Sequence, residues 1–105
     1  MYKDSHISLV IPARNEERLI RPTLESVPEI IDRIYVVDDG SKDKTKDVVL
    51  DCARRDDRVR LISHETNQGV GAAIITGYKQ SSVDGFDVAV VVGGDNQMPL
   101  EMVDE

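Results

Sequence analysis

The chain has 105 residues, the length of one compact domain, and its 40% apolar and 31% charged side chains suffice for a core without disulfide or metal staples. Its 13 basic against 20 acidic residues leave a formal charge of −7, which excludes unassisted binding to nucleic acid or an anionic membrane, because phosphate affinity needs clustered cations. A single cysteine, Cys52, excludes an intramolecular disulfide and fits a reducing, cytoplasmic compartment.

The first β-rich run, residues 7–11, is too short for the core of a signal peptide and reads as a strand, with Pro12 stopping its ladder. A turn at 16–20 follows, then a helix from Pro22 carrying Leu24 and Val27, since proline fits a first helical position. The second strand, 33–37, leads into Asp38-Asp39-Gly40-Ser41, and Thr45 is the expected N-cap of a helix whose apolar face holds Val48, Val49, Cys52 and Ala53. A third strand, 59–63, precedes a helix with Val70, Ile74 and Gly77 or Tyr78 at helical spacing. The fourth, 87–92, is apolar almost throughout, as a strand buried on both faces would be, and Pro99 opens a last helix. No run is long enough to span a membrane.

This alternation implies an α/β fold, an open doubly wound, mostly parallel sheet of Rossmann-like type. Ligands of such sheets bind at the carboxyl ends of the strands. Here the loops leaving strands are polar: residues 12–16, 38–41, 64–71 and 93–97. Those entering strands read as simple turns. Asp outnumbers Glu by 13 to 7, and part of that surplus falls in the polar loops.

Each polar loop has a chemical and a plain reading. Adjacent Asp38 and Asp39 at a strand end suit a cation or ligand hydroxyls and amides, or else form an acidic turn with Ser41 and Asp43 capping the next helix. Gly93-Gly94-Asp95-Asn96-Gln97 can offer the oxygens of Asp95 and Gln97 to a hard cation, or be a glycine-rich turn. Asn67-Gln68-Gly69-Val70-Gly71-Ala72-Ala73 opens a helix whose free N–H groups suit a diphosphate, while Ala72 and Ala73 also suit close helix–sheet packing. Asn15 and Glu16 either cap a helix or meet a base edge. His6 and His64 lack ligand-spaced partners and read as incidental, and Cys52 reads as core.

Four segments in this order resemble the family 2 glycosyltransferases of GT-A fold, nearest the dolichyl-phosphate mannosyltransferase or polyprenyl-phosphate glycosyltransferase type. They are Val10-Ile11-Pro12-Ala13-Arg14-Asn15-Glu16-Glu17, Val36-Val37-Asp38-Asp39-Gly40-Ser41-Lys42-Asp43-Lys44-Thr45, Asn67-Gln68-Gly69-Val70-Gly71-Ala72-Ala73 and Gly94-Asp95-Asn96-Gln97-Met98-Pro99. The resemblance implies that Pro12, Asn15 and Glu16 lie near the nucleotide base and that Asp38 and Asp39 bind base and ribose. Gly69 and Gly71 would let the helix start approach the diphosphate. Asp95, the implied catalytic residue, would hold Mg²⁺ or Mn²⁺ together with Gln97. The implied reaction is inverting transfer of a hexose, mannose or glucose, from a UDP- or GDP-sugar to a polyprenyl or dolichyl phosphate. A full-length form would then work at the cytoplasmic membrane face.

Two departures qualify the resemblance. Relatives usually carry Asp-x-Asp at the metal, where Gly93 stands here, so metal affinity is expected to be weaker. Relatives also continue further, so residues 1–105 are expected to be a donor-binding domain stopping before the acceptor half. Apolar surface left where that half would pack would favour self-association. The competing readings are a non-catalytic nucleotide-binding or assembly module and a receiver-type signalling domain. The latter needs its Asp pair after the first strand and a late Lys, whereas this chain has no Lys after Lys79.

Overall fold

The computed structural model describes residues 6–92. The loop 93–97, with Asp95 and Gln97, and the helix expected at Pro99 lie outside the described residues. Within them the order is β1 (Ile7–Ala13), α1 (Ile20–Glu25), β2 (Arg33–Asp39), α2 (Thr45–Arg55), β3 (Val59–His64), α3 (Val70–Val83) and β4 (Val88–Val91). The strands form one sheet, β3-β2-β1-β4, with every pairing parallel. The chain thus winds outward from β1 through β2 to β3, then crosses back to lay β4 on the other side of β1. That reversal puts a topological switch point beside the carboxyl end of β1.

Strand alternation divides the core into two layers. Ile7, Leu9 and Ile11 of β1, with Ile34 and Val36 of β2, face α1 and α2, where Ile20, Leu24, Val49 and Cys52 meet them. Val10 and Val37 face Ala73 of α3. On that face a methyl group on Gly77 would overlap Val10 Cγ1, so α3 lies unusually close to β1. The Ser8 and Ser81 hydroxyls, both buried, bond each other at 2.7 Å across the same contact. At the helix end, the Tyr35 hydroxyl donates to Asp84; burial first, and that carboxylate second, push the phenol up to about 12. At the opposite edge of the sheet from the polar loops, the Arg58 guanidinium donates to the carbonyls of Pro28 (2.9 Å) and Ile31 (3.0 Å) and to Asp56.

Four expectations need correction. Helix α1 begins at Ile20, with the carbonyl of Glu16 accepting the N–H groups of Leu19 and Ile20 at 3.0 and 2.9 Å. Pro22 therefore sits third in the helix, still within the first turn, where its missing N–H costs nothing. Pro12 does not end β1 but pairs in register with Val37. Like Val10, whose carbonyl bonds Val92 N on the β4 side, Pro12 turns its backbone polar groups towards β4, so its missing donor falls beyond that strand's described end. Thr45 is not an N-cap; it is fully buried, and Asp43 accepts its N–H at 3.0 Å. Finally, β4 pairs only with β1 and is an edge strand among the described residues, and α3 packs chiefly on β1 and β2, which leaves β4 partly exposed. Val88 is 43% exposed, and in β4 only Val90 is buried.

Candidate functional site

The loops at the carboxyl ends of β1 and β2 are stitched together by reciprocal bonds. Asn15 takes a left-handed backbone (φ 54°), which asparagine tolerates. Its N–H donates to Ser41 Oγ at 2.8 Å, and its Oδ1 accepts Lys42 N–H at 2.9 Å. The Glu16 N–H donates to Thr45 Oγ1 at 2.8 Å, while Glu17 Oε1 accepts Lys44 N–H at 3.1 Å. Asp43 receives the Glu17 N–H and both donors of Thr45. Burial pushes its carboxyl up, but these donors outweigh burial and hold it below the usual carboxylate range.

Alternation along β2 sends its two terminal carboxylates to opposite faces, so they do not share one ligand-facing surface. Asp38 is fully buried; its Oδ2 accepts Ser41 N–H at 3.2 Å and its Oδ1 has no partner. Asp39 turns towards the β3–α3 loop. Its Oδ1 accepts Gln68 N–H and faces His64 Nδ1, each at 2.8 Å, and its Oδ2 accepts Gly69 N–H at 2.8 Å. Burial raises the Asp39 pKa, yet the Gln68 N–H, the imidazole and the Gly69 N–H together bring it below the usual value. The other imidazole nitrogen, Nε2, lies 2.9 Å from Thr76 Oγ1 on α3.

These elements enclose a cleft of about 330 Å³ lined by Pro12, Ala13, Arg14, Glu16, Asp39, Asn67, Gly69, Val70 and Ala73. A second hollow of about 660 Å³ along residues 15–19 adjoins it through Glu16. Gly69 (φ 101°) caps α3, and the N–H groups of Val70, Gly71 and Ala72 have no acceptor within the helix. A methyl group added at Gly69 or Gly71 would meet no atom within 4 Å, so space lies open in front of the helix start. Of the expected site residues, Pro12, Glu16, Asp39 and Gly69 line the cleft and Asn15 lines the hollow beside it. Asp38 and Gly71 do not line it, and Asp95 and Gln97 lie outside the described residues. Among the described residues no group of His, Cys, Asp and Glu side chains is arranged to hold a metal.

His64 is the correction at this site: it is not incidental, since its side chain is 9% exposed and bonded at both ring nitrogens. One sequence signal points to it, since His64 ends β3 at the same polar edge as the Asp pair, and the register sets it beside Asp39. His6 stays exposed, 3.9 Å from Asp87, and Cys52 is core, its thiol pushed up by burial.

Residues 8–104 match the family described as Glycosyl transferase family 2. The chain belongs to that family. It is 36% identical to the UDP-N-acetylglucosamine–dolichyl-phosphate N-acetylglucosaminyltransferase of Methanococcus voltae, over 90% of this chain and 43% of the relative. It is 37% identical to the dolichyl-phosphate beta-glucosyltransferase ALG5A of Trichomonas vaginalis, over 69% of this chain and 26% of that one. The chain thus spans less than half the length of these relatives. Its fold matches the mannosyltransferase PcManGT of Pyrobaculum calidifontis in complex with GDP-Man and Mn²⁺ at a TM-score of 0.74, with 21% identity over 86% of this chain and 27% of that one. It also matches the Mycobacterium tuberculosis glucosyl-3-phosphoglycerate synthase, solved with Mn²⁺, UDP and glucosyl-3-phosphoglycerate, at a TM-score of 0.73, with 26% identity over 97% of this chain and 38% of that one. The sheet of this glycosyltransferase family 2 chain is therefore that of a GT-A fold, and the receiver-type reading falls away. No helix among the described residues is long and apolar enough to cross a membrane.

Proposed function

We propose that this chain provides the nucleotide-sugar site of an inverting glycosyltransferase that moves a hexosyl or N-acetylhexosaminyl group from a UDP- or GDP-sugar to a polyprenyl or dolichyl phosphate. The observation carrying this reading is the cleft itself: in a family 2 chain, it joins the unsatisfied N–H groups at the start of α3 to the carboxyl ends of β1 and β2. A helix start of this kind favours a diphosphate through its aligned N–H dipoles. Pro12, Glu16 and Asp39 then form the wall on the nucleoside side, with Asn15 and Asp38 holding that wall from behind.

Asp95 and Gln97 would hold Mg²⁺ or Mn²⁺: a carboxylate and an amide oxygen form the hard donor set these ions prefer, with diphosphate and water completing it. The ion's contribution is to neutralise charge on the departing nucleoside diphosphate. With Gly93 supplying no carboxylate, the protein's share of the donor set is small, and ion binding leans on the nucleotide. In the transfer, a phosphate oxygen of the acceptor bonds to the sugar C1 as the bond from C1 to the nucleoside diphosphate breaks, inverting that carbon. A phosphate acceptor is already ionised at neutral pH and needs no general base. A lipid-linked acceptor would bring the working enzyme to the cytoplasmic membrane face.

The test is a melting-temperature panel with GDP and UDP, each with and without Mn²⁺ or Mg²⁺. At a hundredfold excess over Kd, binding adds about 2.7 kcal/mol to stability, so one nucleotide should raise Tm by several degrees. Asp95→Ala should abolish the metal-dependent part of that rise. A flat response to both nucleotides at millimolar concentration sinks the proposal. A transfer assay with the matching nucleotide sugar and a polyprenyl phosphate then separates an enzyme from a module that only binds.

A further inference from the structure

The side chain that ties the cleft together is not one of those lining it. His64 reaches Asp39 Oδ1 through Nδ1 at 2.8 Å and Thr76 Oγ1 through Nε2 at 2.9 Å. An ionised carboxylate only accepts, so the ring proton resides on Nδ1. In the tautomer with its proton on Nδ1, Nε2 is an acceptor and the Thr76 hydroxyl donates to it. With a bond at each end the ring cannot turn, and three elements are joined through it: β2 by Asp39, β3 by His64 itself and α3 by Thr76.

The consequence falls on Asp39. Two oxygens offer four acceptor positions, and here Oδ1 uses both of its own, on Gln68 N–H and on His64, while Oδ2 uses one on Gly69 N–H. One position therefore remains, on Oδ2, in a carboxylate that lines the cleft. The same two N–H bonds hold Gln68 and Gly69, the last residues before α3, and so set where the unsatisfied N–H groups of that helix stand relative to Pro12 and Ala13 on the opposite wall. Without the imidazole, the carboxylate could rotate about its χ angles and release either N–H.

We infer that His64 is a positioning residue of the nucleotide site: it locks the Asp39 carboxylate in the one orientation that both seats the start of α3 and leaves Oδ2 open to a ligand hydroxyl or N–H. The inference rests on the nucleotide-site reading above, and the following experiment separates the two. An asparagine at position 64 sets an N–H near the place of Nδ1 but cannot reach Thr76; a glutamine reaches towards Thr76 but offers no donor at the Nδ1 place. Both are uncharged amides differing by one methylene at the end of β3, and the β1 amides report whether either variant has lost the fold, so the contrast between them is separable from simple loss of folding.

Affinity for GDP and UDP with Mn²⁺ is measured by calorimetry for the parent chain, His64→Asn, His64→Gln and Thr76→Val, alongside the ¹H–¹⁵N amide spectrum without nucleotide. His64→Gln should weaken binding about tenfold, as expected when a buried charged group loses a bonded partner, whereas His64→Asn should stay within about threefold of the parent. The Gln68 and Gly69 amides should lose exchange protection in His64→Gln and keep it in His64→Asn, with the amides of β1 unchanged in both. Thr76→Val, which frees only the far end of the ring, should fall between them. Equal affinities and equal Gln68 and Gly69 protection in the Asn and Gln variants overturn the positioning role while leaving the nucleotide site standing. A parent chain that binds neither nucleotide overturns the underlying reading, and the nucleotide role of His64 with it.

Discussion

Gly40 shows how one residue can hold two loops in contact. Its φ of +73° lies in the left-handed region, and a methyl group there would stand 2.7 Å from Asn67 N and 2.9 Å from the Thr66 carbonyl carbon. Both neighbours are backbone atoms of the β3–α3 loop, which cannot rotate away as a side-chain tip can. Gly40→Ala should therefore cost about 2 kcal/mol from strain and overlap together, seen as a lower denaturant midpoint at unchanged m-value. An unchanged midpoint would mean that the two loops do not touch in solution. Asn15 and His64 act on the same loops with side chains, and neither role is visible locally. Asn15 bonds the backbone 27 positions on, at Lys42, and His64 bonds a carboxylate 25 positions back. A reading of neighbouring residues finds the polar loops but not which groups in them are consumed by one another.

Among elements, the decisive contact is α3 on β1. Alanine at position 77 would gain about 1 kcal/mol in helix propensity over glycine. Against that, its methyl group overlaps Val10, a β-branched side chain with no exposed surface to move into, with Cγ2 also 3.1 Å away. Overpacking of this kind costs about 1–3 kcal/mol, so the net effect of Gly77→Ala is a loss. Trimming the obstacle should return part of it. In a double-mutant cycle, Gly77→Ala with Val10→Ala should be less destabilised than the sum of the singles by about 1 kcal/mol. Additive losses would refute the close approach. The strand–helix alternation, the parallel sheet and the convergence of the polar loops after β1, β2 and β3 were legible because each rests on local pattern: β-branched runs, helical spacing and turn residues. The exposure of β4 and the pairing of Pro12 were not, because both depend on which strand lies alongside. An apolar run looks the same at the centre of a sheet and at its edge. Asp38 and Asp39 were legible as a pair at a strand end, but their separation to opposite faces follows from β2 continuing through Asp39.

For the whole molecule, the formal charge of −7 and the held-down carboxylates act in opposite directions as pH falls. Protonation relieves the net negative charge, which favours the compact state. Yet five aspartates, Asp39, Asp43, Asp51, Asp56 and Asp84, titrate below the ordinary carboxylate value in the folded chain. A carboxyl whose folded pKa is depressed takes up its proton more readily when unfolded. Stability therefore rises with pH through that window, is complete above the unfolded value near 4, and is lost as pH drops through the folded values. Asp51 and Asp84 are screened by water and contribute little, whereas the buried Asp39 and the half-buried Asp43 each accept several bonds, in networks that join loops distant in sequence. The networks should win over the relief of net charge, because each holds several backbone N–H groups that protonation would leave without an ionised acceptor. Tm should accordingly be level above about pH 5 and fall steeply below about pH 4. The difference in Tm between the parent chain and Asp39→Asn should be largest at neutral pH and shrink as pH falls below the ordinary carboxylate value and through the lower folded value of Asp39, under which both carry an uncharged side chain at position 39. A difference that stays constant across the acid limb would show that the ionised Asp39 carboxylate does not hold the β3–α3 loop.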